Sequence, residues 1–160
     1  MHRDCLYLVN TNKGTALFTS ASIKSGGFVA VYSGVWTKNK KCNIYSVDFM
    51  NYSLIPSIRK KENHMAAMAN EPSIFEHVNC KLLEYEFYGH ELNRDDGIYI
   101  ALILFAVKDI PENSEILWYY GKNYKRNYEI GDVSCNHPTY CENPLNYIQK
   151  VKQIPVLKIV

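Results

Sequence analysis

The chain has 160 residues, enough for one ordinary compact domain and too few for two. A hydrophobic fraction of 47% with 21% charged residues excludes wholesale disorder, and a formal charge of +2 excludes a protein built mainly to coat nucleic acid, so no direct nucleic-acid site is expected. The longest apolar run, residues 98–107, is about half of what a membrane-spanning helix needs, and residues 1–4 lead into no signal-peptide core, so no membrane partner is expected either.

In chain order the pattern is one of many short strands and few helical segments, a mainly β (β-rich α+β) chain. Cys5 to Val9 reads as a first strand, Asn12-Lys13-Gly14 as a turn and Ala16-Leu17-Phe18 as the return. After the Ser25-Gly26-Gly27 turn, alternation over 28–33 puts Phe28, Ala30 and Tyr32 on one face and Val29 and Val31 on the other, ending at Gly34. Residues 44–49 form another β-rich run. His64 to Asn70 has room for one or two helical turns before Pro72 stops them. Residues 78–88 read as extended and aromatic, and 98–107 as a buried strand or a bent pair of strands. Leu117 to Tyr120 reads as a short aromatic strand ending at Gly121, and 122–128 as polar and helix-compatible. Asn143-Pro144 has the form of an N-cap with proline at the first helical position, predicting a helix that carries Leu145, Ile148 and Val151 on one side until Pro155; the apolar end 156–160 is expected to dock on the domain.

Five cysteines, at 5, 42, 80, 135 and 141, are too few and too scattered for a disulfide framework, which predicts free thiols in an intracellular protein. Thirteen tyrosines stand out; an AT-rich coding genome and a phenol-lined site would leave the same mark. Charge is segregated: residues 38–61 carry six bases and one acid, and residues 71–96 seven acids and two bases. Such stretches ordinarily form solvated faces, and the acidic one would also steer a basic peptide. No phosphate-binding glycine loop, His-Glu-x-x-His, Cys-x-x-Cys or Gly-x-Ser-x-Gly is present.

Four segments taken in order carry a resemblance. They are Lys13-Gly14-Thr15-Ala16-Leu17-Phe18 followed by Ile23-Lys24-Ser25-Gly26; Val31-Tyr32-Ser33-Gly34; Asn70-Glu71-Pro72 with Asn79-Cys80; and Leu104 to Ile110 leading to Glu115-Ile116-Leu117-Trp118-Tyr119-Tyr120-Gly121. Together they resemble the SET domain of protein lysine methyltransferases, over roughly residues 5 to 131. The resemblance implies short curved sheets, a threaded, pseudoknot-like C-terminal segment that brings the Asn70 and Tyr120 stretches together, and a SET-like domain at 1–131 with a post-SET-like tail at 132–160. It also implies S-adenosyl-L-methionine as cofactor, bound on one face, and a lysine-bearing protein substrate, a histone tail above all, entering from the other.

Residue by residue, Tyr120 matches the family's catalytic tyrosine, Tyr32 a tyrosine lining the lysine channel, and Trp118 the aromatic position that limits how many methyl groups fit. Gly14, Thr15 and Ala16 match the backbone that meets the cofactor's methionine end, and Asn70, with Glu71 and Tyr120, the remaining cofactor contacts. The chain departs from the pattern at Ala16, a second glycine in the family and tolerable only where φ stays negative, and at Glu71, where the family has histidine. The loop from Asn70 to Asn79 is also longer than usual. Many relatives carry a zinc-binding tail; Cys80, Cys135, His137 and Cys141 offer such a set here, but their spacing differs, and free thiols with no metal are expected. The chemistry suits these residue types. In-line methyl transfer to an amine is governed by positioning, a desolvated channel keeps the amine neutral, and aromatic walls accept cationic methyl groups. The expectation is therefore a protein-lysine N-methyltransferase, intracellular and nuclear if histones are its substrate. The alternative is a catalytically silent module of the same fold that binds a peptide or protein partner.

Overall fold

The computed structural model describes residues 1–38, 43–57, 59–148 and 150–160. Its strands form three small antiparallel sheets. The first pairs β1 (Leu6–Thr11) with β2 (Gly14–Thr19) as a tight hairpin, and β2 in turn with β9 (Ser114–Glu115). The second is built on β8 (Ile98–Ala106), flanked by β7 (Cys80–Tyr88) on one side and by β3 (Phe28–Val31) and β10 (Leu157–Lys158) on the other. The third consists of β4 (Val35–Thr37), β6 (Tyr52–Ile55) and β5 (Val47–Phe49), with β6 in the middle, and lies in sequence between the Val31–Gly34 and Asn70–Cys80 motifs.

β8 accounts for the unbroken apolar run. Ile100, Leu102, Leu104 and Ala106 face one core with Leu17, Val29, Leu54, Ile116 and Trp118. Tyr99, Ala101, Ile103 and Phe105 face a second with Phe28, Phe87, Ile148 and Ile154. Both faces are thus buried, and the period of two is visible only in which core each residue joins. Each fully buried Leu, Ile or Phe here contributes about 1.5–3 kcal/mol of transfer free energy.

Several expectations are corrected. The alternation over 28–33 is broken by a register shift between Phe28 and Ala30, so Val29, Ala30 and Tyr32 share one core while Phe28 and Val31 share the other. The helix expected between Asn143 and Pro155 is two separate 3-10 turns, Pro144–Asn146 and Val151–Gln153, although the cap forms, with the Asn143 side chain accepting from the Leu145 amide at 3.0 Å. Ile148 and Ile154 both reach the second core, an anchoring that overrides helix propensity. Residues 64–70 hold one 3-10 turn, Met65–Met68, in line with the expectation of one or two turns, whereas 122–128 hold no helix. The chain end does dock, through β10 on β8.

Leu117 to Tyr120 is not a ladder strand. Its amides are taken by separate parts of the molecule: Leu117 donates to Asn79 Oδ1 at 2.8 Å, Trp118 to the Asn70 carbonyl at 3.0 Å and Tyr120 to Glu71 Oε2 at 3.0 Å. The chain then returns at 131–132, where Gly131 donates to the Pro72 carbonyl and Asp132 to that of Glu76. The 114–121 segment is therefore enclosed by β2 on one side and by residues 69–80 on the other, a crossing of the kind that the resemblance implies.

Candidate active site

The crossing brings the sequence-expected residues into one place. Ala69 and Asn70 run beside Leu117 and Trp118, and the Ala69 carbonyl accepts from both the Tyr120 hydroxyl at 2.7 Å and the Trp118 indole N–H at 3.2 Å. Trp118 stands edge-on to Tyr120, with ring centroids 5.0 Å apart, and to Tyr32 at 6.0 Å. The Tyr32 hydroxyl donates to the Tyr45 carbonyl. The hairpin turn is attached to the same group: Asn70 Nδ2 donates to the Thr15 carbonyl and to Glu115 Oε1, both at 3.3 Å. Lys13 Nζ lies 3.2 Å from Glu115 Oε2, and Lys61 Nζ donates to Thr15 Oγ1 at 2.8 Å.

The glycine positions explain two of the motif's demands. Gly14 has φ +94°, and a Cβ built on it would meet nothing within 4 Å, so its backbone faces open space. Gly121, at φ +100°, lets the chain turn immediately after Tyr120. Ala16 lies in β2, is wholly buried and is not in a positive-φ conformation, so the departure from glycine costs no backbone strain.

Glu71, where the resemblance implies histidine, is held by groups of this chain. Its carboxylate is buried, takes Arg126 in a two-pronged pair at 2.8 Å and 2.8 Å, and accepts the Tyr128 hydroxyl at 2.9 Å besides the Tyr120 amide. All of these partners belong to this chain, and they occupy the acceptor positions of both oxygens.

Sequence reading missed two members of the aromatic group. Tyr124 stacks edge-on against Tyr120 at 4.8 Å, and Tyr45, on the approach to β5, receives the Tyr32 hydroxyl. Burial, with Tyr124 and Tyr45 nearby, pushes the Tyr32 phenol well above its ordinary range. Burial also raises Tyr120, reinforced by Tyr128, Tyr32, Glu71 and Tyr124. Tyr124 is raised by burial and Glu71. The group is therefore a set of neutral phenols and one indole, bordered at Tyr124 by the Arg126 guanidinium, 5.4 Å from the ring centroid. The excess of tyrosine was the only signal in the sequence.

On the far side of Trp118, a cavity of about 510 Å³ runs between β5 and β7 and is closed by residues 133–136. Val47, Leu82 and Leu102 give it an apolar floor; Asp48 and Glu84 stand exposed on its edge. Glu84 thus belongs to the acidic stretch and borders this cavity. Cys80 and Cys135 also line it, whereas Cys141 packs against the second core, so the cysteines proposed as a zinc set lie in different places. Among the described residues Cys5, Cys80, Cys135 and Cys141 are free thiols, and no group of three or more His, Cys, Asp or Glu side chains is arranged to hold a metal ion. Cys42 lies outside the described residues. No described helix is long and apolar enough to cross a membrane.

This architecture is the SET-domain fold. A Plasmodium falciparum protein described as a histone methyltransferase superposes with a TM-score of 0.54 at 18% identity, over 78% of this chain and 98% of that one. KRYPTONITE, solved with methylated DNA, a histone H3 peptide and S-adenosylhomocysteine, superposes at 0.55 and 18% identity over 76% of this chain and 25% of its own. ATXR5, solved with a mono-methylated histone H3.1, superposes at 0.53 and 17% identity over 80% of this chain and 61% of its own. No sequence-family model and no curated protein sequence matches the chain.

Proposed function

We propose that the chain is an S-adenosylmethionine-dependent protein lysine methyltransferase whose substrate is a basic peptide segment, with histone tails the leading class. The observation that carries this reading is the shared anchoring of Tyr120 and Trp118 on the Ala69 carbonyl, directly beside Asn70, inside an uncharged aromatic group. The fold and the structural neighbours' histone and cofactor ligands support it.

The residues present fit the cofactor. The open backbone at Gly14 and the adjoining Thr15 and Ala16 would hold its methionine end, and Asn70 its neighbouring polar groups. When bound, S-adenosylmethionine supplies the methyl group on a sulfonium. The chain's own part is positional and electrostatic. Tyr32, Trp118, Tyr120 and Tyr124 exclude water and offer ring faces and edges to cationic carbon. The Tyr120 phenol, held protonated by burial, is a hydrogen-bonding group that orients an amine without carrying charge. An amine entering so dry a place is favoured in its neutral, nucleophilic form. Asp48 and Glu84 border the cavity on the other side of Trp118, where their charge would draw in the flanks of a basic peptide.

The direct experiment is transfer of labelled methyl groups to core histones and to a panel of lysine-rich peptides. Tyr120→Phe is expected to lower the rate by about 10²-fold, the cost of one hydrogen-bonding group acting at the reacting centre. Full activity in that variant refutes the mechanism. The competing reading, a silent binding module, is motivated by Glu71 and requires the wild-type protein to bind no S-adenosylmethionine at millimolar concentration in calorimetry.

A further inference from the structure

We infer that Arg126 is a positioning residue for Tyr120: through Glu71 and Gly121 it fixes the backbone on both sides of the phenol, so the orientation of that phenol depends on a guanidinium that never touches it. This inference rests on the methyltransferase reading only for what Tyr120 does, and not for how Tyr120 is held.

The hydrogen-bond geometry carries the argument. Tyr120 is held at two points. Its amide donates to Glu71 Oε2 and its hydroxyl to the Ala69 carbonyl, so one residue is stretched between positions 69 and 71 of the crossing segment. The first point is only as fixed as the Glu71 carboxylate. That carboxylate is oriented by Arg126, whose Nε reaches Oε1 and whose terminal nitrogen reaches Oε2 in a planar fork. The same terminal nitrogen donates to the Gly121 carbonyl at 3.0 Å. Arg126 therefore ties the left-handed turn that follows Tyr120 to the carboxylate that holds its amide.

The guanidinium is itself restrained, lying 5.4 Å from the Tyr124 ring centroid and 5.7 Å from that of Tyr119. Tyr128, donating to Glu71 Oε1, completes the arrangement. A lysine at 126 would keep the charge but could not make the fork, and would leave one of the three acceptors unserved. Glutamate in place of the family's histidine and arginine at 126 are thus two halves of one device.

The test is made on the full chain carrying tyrosine labelled with ¹³C at Cζ. The Tyr120 line is identified by its loss in Tyr120→Phe. In Arg126→Lys and Arg126→Met the Tyr120 line is expected to shift or broaden at neutral pH, while the line of Tyr99, which packs in the second core and donates to Asp95, stays in place. Methyl transfer is expected to fall by about 10²-fold in kcat, the cost of a small misplacement at a reacting centre, with the KM for peptide and the Kd for S-adenosylmethionine little changed. Arg126→Lys should recover part of that loss.

A Tyr120 line that stays in place in folded Arg126→Met overturns the inference. So does a raised cofactor Kd with kcat intact, which would make Arg126 a direct ligand contact. If Arg126→Met fails to fold, the Glu71→Gln/Arg126→Gln pair, which leaves no unpaired buried charge, serves the same measurement. Should the wild-type protein transfer no methyl group, the Tyr120 line still decides whether Arg126 positions the ring, so the two readings fail separately.

Discussion

Two regions meet at Tyr120 and are built on opposite principles. On the hydroxyl side, Tyr32, Trp118, Tyr120 and Tyr124 form a neutral aromatic group in which every side-chain polar hydrogen with a named acceptor goes to a backbone carbonyl. On the amide side, Glu71, Arg126 and Tyr128 form a charged, saturated cluster, with the Glu71 side chain 1% exposed. The difference shows where this chain tolerates charge. An ion pair out of water gains little net stability over an apolar replacement, but it fixes geometry and is costly to break. It therefore sits where the chain must be fastened, while the hydroxyl side is built from neutral groups.

The largest expected effect breaks the charged side. Glu71→Ala would leave a forked guanidinium, a phenol and a backbone amide without their acceptor, and should cost about 3–5 kcal/mol of stability. Tyr120→Phe removes one neutral hydrogen bond and should cost about 1 kcal/mol. Urea denaturation of the two variants measures the contrast directly. Equal costs would mean that the two sides are not different in kind.

A smaller effect concerns the approach to the neutral side. Converting Asp48 and Glu84 to Lys should slow reaction with basic peptides several-fold at low salt, and the deficit should shrink as ionic strength rises toward 0.15 M, where the screening length is about 8 Å. Glu86→Lys, on the same exposed edge of β7 but outside the cavity lining, is the control. A salt-independent deficit would assign these carboxylates to packing rather than attraction.

The strands around both regions were legible in the sequence because β1, β2 and β7 are β-rich runs bounded by turn residues and β8 is an unbroken apolar run, buried on both faces. The aromatic side was legible through Tyr32, Trp118 and Tyr120, each standing in a motif. The charged side was not. Arg126 and Tyr128 are 55 and 57 residues from Glu71, in a polar segment whose composition fits a surface helix as well as it fits a clasp. Nor does the Leu117–Tyr120 pattern distinguish a strand from a segment whose amides go to Asn79, Asn70 and Glu71 in turn, since both look extended and apolar. Tyr45 and Tyr124 were hidden for the same reason: a neighbour across the fold leaves no mark on local periodicity.

The least of the expected effects sharpens the comparison through pH. Burial holds Tyr32 and Tyr120 above the ordinary phenol value of 10.0, so in the unfolded chain they release protons that the folded chain still retains. Above pH 10 the folded state therefore binds more protons than the unfolded state. Stability contributed by the neutral phenols is fully present below pH 10 and declines as pH rises toward the folded values, by about 1.4 kcal/mol for each pH unit and each phenol. Tyr128, pushed up to about 12 by burial and by its bond to Glu71, adds to the same limb, though its exposure weakens the effect. Urea midpoints between pH 8.5 and pH 11 should fall steeply in the wild-type protein and less steeply in the Tyr32→Phe/Tyr120→Phe pair. Glu71→Gln lowers the whole curve but should leave most of the slope, because Tyr32, Tyr120 and the Cys80 thiol, which burial also pushes up, all lie outside the charged cluster. If the slope instead vanishes in Glu71→Gln and persists in the phenylalanine pair, the alkaline sensitivity belongs to the charged cluster, and the division between the two regions is drawn in the wrong place.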